Sequence, residues 1–206
     1  MRDGNLIDAT LFAGVPLLPA PRFGSLPALL PGQKRFLAAM DGIYVEACSH
    51  AMSVRLKVGE GLLPYGSLSN EVRLSAGPVP RALLREFVER AQAQSDCEIA
   101  AAVVLDSEGV YRLHWPKVHQ ASAAHVRYAD QIDDDRLVLD LHTHATGPAF
   151  FSAMDDASDR SRPGPYFACV VGRCDRDDPE LVARAVLAPY LQPLAMQWLQ
   201  DHGVIA

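Results

Sequence analysis

The sequence predicts an α/β fold of the mixed, α+β kind. A twisted, mostly antiparallel sheet flanked by helices is expected, preceded by a β-rich N-terminal portion. Three observations lead there. A hairpin signal at Asp41-Gly42 and polar–apolar alternation over 52–58 and 71–74 mark the front, one helical period of apolar residues follows over 81–94, and later apolar runs of strand length are separated by turn residues.

The elements follow in chain order. The first thirty residues, rich in Pro, Leu and Ala, have no clean period and read as an extended lead-in. Residues 35–40 and 43–47 flank Asp41-Gly42, a two-residue hairpin signal. Residues 52–58 and 71–74 alternate as strands do, with a loop at 59–65. Pro78 and Pro80 punctuate the chain. Leu83, Leu84, Phe87, Val88 and Ala91 then recur at helical spacing, with Arg85, Glu86, Glu89 and Arg90 on the other side. An apolar strand over 99–105, a Ser107-Glu108-Gly109 turn and a return strand over 110–115 come next. Further strands are expected at 137–144, 166–171 and 181–187. A short helix begins near Ser152 and stops before Arg162-Pro163-Gly164-Pro165. Residues 191–200 suit either a helix or irregular packing. The change of character near residue 77 divides the chain into a β-rich region, 1–76, whose role the residues leave open, and a second unit, 77–206.

Bulk properties narrow the function. A length of 206 residues, 49% hydrophobic and 21% charged, is ordinary globular composition. The formal net charge of −6 and the lack of any Lys/Arg run argue against a nucleic-acid partner. Asp133, Asp134 and Asp135 read as a solvated turn. The longest apolar run, 99–105, falls far short of the roughly 20 residues a membrane helix needs. Asp3, Asp8 and nearby prolines do not suit a secretory leader, so a soluble, cytoplasmic protein with no membrane partner is expected. Cys48, Cys97, Cys169 and Cys174 read as reduced, mostly buried thiols rather than a disulfide scaffold.

The chemistry concentrates in Asp140-Leu141-His142-Thr143-His144. On a strand His142 and His144 project to one face, their Cα atoms roughly 6.6 Å apart, close enough to converge on one ion. Asp155 follows eleven residues after His144, with Ser152 three before it. If Ser152 caps a helix, Asp155 lies in the first turn and can point back at the histidine strand. Two imidazoles and one carboxylate leave a fourth tetrahedral position for water, the open arrangement of a catalytic zinc site. Ser-x-x-Asp is equally a helix capping box that needs no metal.

The pattern H-x-H-x(7)-S-x-x-D resembles the signature of the JAB/MPN (JAMM) metallopeptidases, which include deubiquitinating isopeptidases. The resemblance implies an MPN/JAB-like sheet over 77–206 with Zn²⁺ on His142, His144 and Asp155. It also implies an acidic residue opening the strand after an amphipathic helix, where this chain has Glu98. Glu108 is the competing acid, in a hairpin turn. The narrower run from Asp140 to Asp156, with Pro21-Arg22-Phe23-Gly24 and Leu63-Pro64-Tyr65-Gly66 upstream, resembles the protein A subfamily of the PRTRC plasmid-associated gene systems. A ubiquitin-like protein or its conjugate is the substrate this implies. Two departures bear on loop geometry: Ala145 stands where many members have Pro, and Ala101 where many have Gly.

The implied reaction is hydrolysis of a peptide or isopeptide bond. Glu98 would transfer the proton and Ser152 would donate to the oxyanion. Asp140 either orients an imidazole or forms a core salt bridge. Phe150 and Phe151 either wall a substrate groove or fill the core. His50, His114, His119, His125 and His202 have no partner at ligand spacing and are given no role. The rival reading is a non-catalytic MPN-like scaffold that binds a ubiquitin-like or other partner protein. The oligomeric state is not legible.

Overall fold

The computed structural model describes residues 14–116, 118–122, 125–128 and 132–206, with the backbone alone for 118–122 and 125–128. The leader reading at Asp3 and Asp8 and the side chains of His119 and His125 lie outside the described residues. Two sheets dominate, and the fold is the mixed α+β arrangement expected, with few helices and mostly antiparallel pairing.

The first sheet has the order β1(Leu17–Pro19), β2(Lys34–Ala39), β3(Gly42–Cys48), β4(Met52–Glu60), β5(Glu71–Leu74). β2 and β3 form the hairpin expected around Asp41-Gly42, and Gly42 takes φ 147° there. A Cβ at Gly42 would stand 2.1 Å from the Gly59 carbonyl oxygen, so only glycine fits. The lead-in is more ordered than its sequence suggests, because β1 pairs parallel to β2. The two glycine-containing segments also meet: Gly66 N–H donates to Ala20 O at 2.9 Å, and a Cβ there would strike Pro21 O.

Helix α1(Arg81–Ala93) buries Leu84, Phe87 and Ala91, the stripe read from its period. The second sheet then assembles as β13-β12-β11-β10-β6-β7, from β6(Ala100–Leu105), β7(Tyr111–His114), β10(Leu137–Thr143), β11(Tyr166–Gly172), β12(Glu180–Leu187) and β13(Tyr190–Leu194). Only β10 and β11 run parallel within it, and α2(Ala153–Ser161) is their crossover. A small hairpin, β8(Val118–Ser122) with β9(His125–Tyr128), lies between β7 and β10. The ambiguous tail resolves into β13 and a short helix, α3(Met196–Asp201).

One hydrophobic cluster joins the two sheets. Val45, Met52, Val54 and Leu56 from the first meet Phe87 of α1 and Leu139, Leu141, Phe167 and Cys169 of the second. Lys34 of β2 also donates to the carbonyls of Pro163 (3.0 Å) and Ala188 (2.5 Å). The four cysteines are free thiols, and burial pushes that of Cys169 up to about 12. Asp134 is not merely solvated: its Oδ1 accepts from Arg162 at 2.6 Å. No helix among the described residues is long and apolar enough to cross a membrane.

Candidate metal centre

β10 alternates from Leu139 onward, past a register shift between Leu137 and Leu139, and this creates the site. Leu139, Leu141 and Thr143 are buried on the core side, so Asp140, His142 and His144 turn to the opposite face, beneath α2. Where β10 ends, Ser152 begins the helix. Asp155 N–H donates to Ser152 Oγ (3.2 Å), and the Ser152 N–H and hydroxyl both donate to Asp155 Oδ2 (2.7 Å each). The capping box is therefore present. It does not exclude a ligand role, because it occupies one carboxylate oxygen and aims the other, Oδ1, at His142 Nε2, 3.4 Å away.

The imidazoles are prepared differently. His144 Nδ1 lies 3.1 Å from the Pro148 carbonyl. A carbonyl only accepts, so Nδ1 carries the proton and Nε2 keeps its lone pair. His142 Nε2 is buried without a hydrogen-bond partner among the described residues. Burial holds this imidazole below its ordinary pKa range, against the opposing pull of Asp155, which favours the neutral, metal-binding form.

Ligand atoms of His142, His144 and Asp155 all lie within 4.8 Å of one another. Tetrahedral zinc ligands at about 2.0–2.2 Å from the ion stand about 3.4 Å apart, the separation already present between His142 and Asp155. Two imidazoles and one carboxylate, with a buried His142 Nε2 that makes no hydrogen bond among the described residues, fit a divalent cation of the zinc type.

Glu98 is set by strand register. His142 pairs with Ala100, Thr143 N–H donates to Ile99 O, and Ile99 N–H donates to Thr143 Oγ1, both at 2.9 Å. The ladder ends at His142 and Ala100, and the Ile99–Thr143 hydrogen bonds tie down the next residue, which leaves Glu98 one step beyond them and two residues before the paired strand. Glu108 is remote from this register, paired with Arg112 at the β6–β7 turn.

The remaining predicted residues separate. Of the two readings of Asp140, the salt bridge is the one its side chain makes: Arg162 Nη1 lies 2.6 Å from Oδ2, and Pro148 rather than Asp140 orients His144. Burial nevertheless pushes the Asp140 carboxyl up to about 6. Phe150, 49% exposed, packs edge-on against His144 at 4.5 Å between ring centroids. Phe151 instead packs with Tyr166 and Val186 in a small second cluster. His50 pairs with Asp135, and His202 stacks on Trp198.

Ala145 adopts φ 49°, a left-handed turn that proline cannot enter. The loop from 147 to 149 then lies so close to Gly172 that a Cβ there would stand 2.2 Å from Ala149 N. The loop conformation at Ala145 is thus one that a proline there would not permit. Sequence reasoning missed Thr143, whose hydroxyl pins the Glu98 segment to the histidine strand. The signal was a β-branched hydroxyl residue between the two histidines.

The family described as prokaryotic homologs of the JAB domain matches residues 80–186, and the chain belongs to it. A domain of unknown function (DUF2016) matches residues 5–75. No curated protein matches the chain. The JAB family includes metallo-isopeptidases and also non-catalytic members, so membership defines a hydrolase or an MPN scaffold.

Proposed function

We propose that this protein is a zinc-dependent hydrolase of a peptide or isopeptide bond. Its substrate is the C-terminal tail of a ubiquitin-like protein, in a plasmid-associated system of the PRTRC type. The observation that carries the reading is His142 Nε2, buried without a hydrogen bond among the described residues and 3.4 Å from Asp155 Oδ1, beside a tautomer-fixed His144. A scaffold has no need to keep a buried ring nitrogen without a hydrogen bond, an arrangement that costs up to about 1–3 kcal/mol.

When bound, zinc would lower the pKa of a water to about 7 and polarise the scissile carbonyl. Glu98 takes the proton of the attacking water and returns it to the leaving amine. The Ser152 hydroxyl, which now donates to Asp155, rotates toward the carbonyl oxygen while its backbone N–H keeps Oδ2. Losing one such donor costs about 2.7–4 kcal/mol of transition-state stabilisation. The exposed Phe150 ring walls the approach beside His144. The first sheet braces the catalytic unit from its core side through Val45, Met52, Val54 and Leu56. Free thiols suit a reducing compartment, the cytoplasm.

A fusion bearing a reporter after the tail of a ubiquitin-like protein tests the reading. Zinc-loaded protein is expected to release the reporter, and a chelator to stop it. No release from any fusion or conjugate by zinc-loaded protein would leave the scaffold as the function.

A further inference from the structure

α2 has no apolar face to dock with. Ser152, Asp155, Asp156 and Asp159 fall at the i, i+3, i+4, i+7 spacing that makes one side of a helix. They are also the side turned inward: Asp159 is buried and the other three half-buried, whereas Ala153, Met154, Ala157 and Ser158 are exposed. A stripe of carboxylates cannot be held on a sheet by the hydrophobic effect. It needs cations and donors from beneath.

Arg184 supplies them. It interrupts the otherwise apolar middle of β12 and is only 4% exposed. Its Nε donates to Asp159 Oδ2 at 2.7 Å and its Nη1 to Asp156 Oδ1 at 2.5 Å. The guanidinium lies 3.8 Å over the Phe151 ring, next to the helix cap. The Tyr166 hydroxyl donates to the other Asp159 oxygen at 2.7 Å. A planar fork held this way by two carboxylates one turn apart fixes both the rotation and the height of the helix.

We infer that Arg184 is the positioning residue of the metal centre: by gripping Asp156 and Asp159 it presents Asp155 and Ser152 to the two imidazoles before an ion arrives. Asp155 is adjacent to Asp156 in the chain, so any roll of α2 that frees Asp156 also carries Asp155 away from His142. The inference rests on the metal-site reading above. It differs from a plain stabilising role, which would lower the unfolding temperature without changing the affinity of folded protein for metal.

The test measures zinc affinity by chelator competition on folded Arg184→Met and Arg184→Lys proteins, with amide hydrogen exchange across 153–161. Arg184→Met keeps the apolar reach over Phe151 and removes the fork. Its zinc affinity is expected to fall about 10–100-fold, the range typical when a residue that orients a ligand is lost. Exchange in 153–161 should quicken, and Arg184→Lys should recover part of the affinity. Wild-type affinity in folded Arg184→Met would overturn the inference. If that variant does not fold, Asp159→Asn, which leaves the Asp156 contact, takes its place; a weaker affinity supports the role and an unchanged one overturns it. Failure of the wild type itself to bind zinc would overturn the metal-site reading, and this inference with it.

Discussion

Glu98→Gln is expected to bind zinc as the wild type does and to lose about 10²–10⁴-fold in turnover, the usual contribution of a positioned general base. The expectation follows from register. Glu98 directly precedes Ile99, which is hydrogen-bonded to Thr143 between the two histidines, yet Glu98 lies outside the cluster that could hold the ion. Glutamine preserves shape and removes the proton acceptor. Metal content and kcat measured on the same preparation separate the two roles. Unchanged turnover would remove Glu98 from the reaction, and lost zinc would make it a ligand.

The second large effect concerns residues 1–76. A fragment of 77–206 is expected not to fold into a cooperative unit. Val45, Met52, Val54 and Leu56 are at most 1% exposed and belong to the cluster that holds Phe87, Leu139 and Phe167. Fully burying each such side chain contributes about 1.5–3 kcal/mol, while a whole domain is stable by only about 5–15 kcal/mol. Lys34 and Ala51 add hydrogen bonds across the same boundary, to Pro163 and Asp135. Circular dichroism and thermal unfolding of the fragment check this. A sharp unfolding transition in the fragment would show that the two sheets are energetically independent.

Much of the fold was legible because its signals are local. Asp41-Gly42, the Leu84–Phe87–Ala91 stripe and the i, i+2 spacing of His142 and His144 each report on their own element. What stayed hidden depends on partners distant in sequence. β1 has no period of its own and exists by pairing with β2. β13 is a short edge strand with Pro193 in it, a poor strand signal, defined by its ladder to β12. The chemistry divides in the same way. His142, His144 and Asp155 could be read from spacing, because strand and helix periods fix where those side chains point. The grip of Arg184 on Asp156 and Asp159 spans 25 or more residues. Its one sequence trace was an arginine amid Leu181, Val182, Ala183, Ala185 and Val186. Asp140 was open to two readings because strand geometry gives its face and not its partner, and that partner, Arg162, sits beyond the helix.

His142, His144 and Asp155 are proposed to hold a catalytic metal, and zinc per chain in protein purified without chelator checks that claim. The expected result is close to one zinc in the wild type and almost none in a folded His142→Ala, His144→Ala double variant. A wild type that holds no zinc, even after reloading with the ion, would contradict the claim.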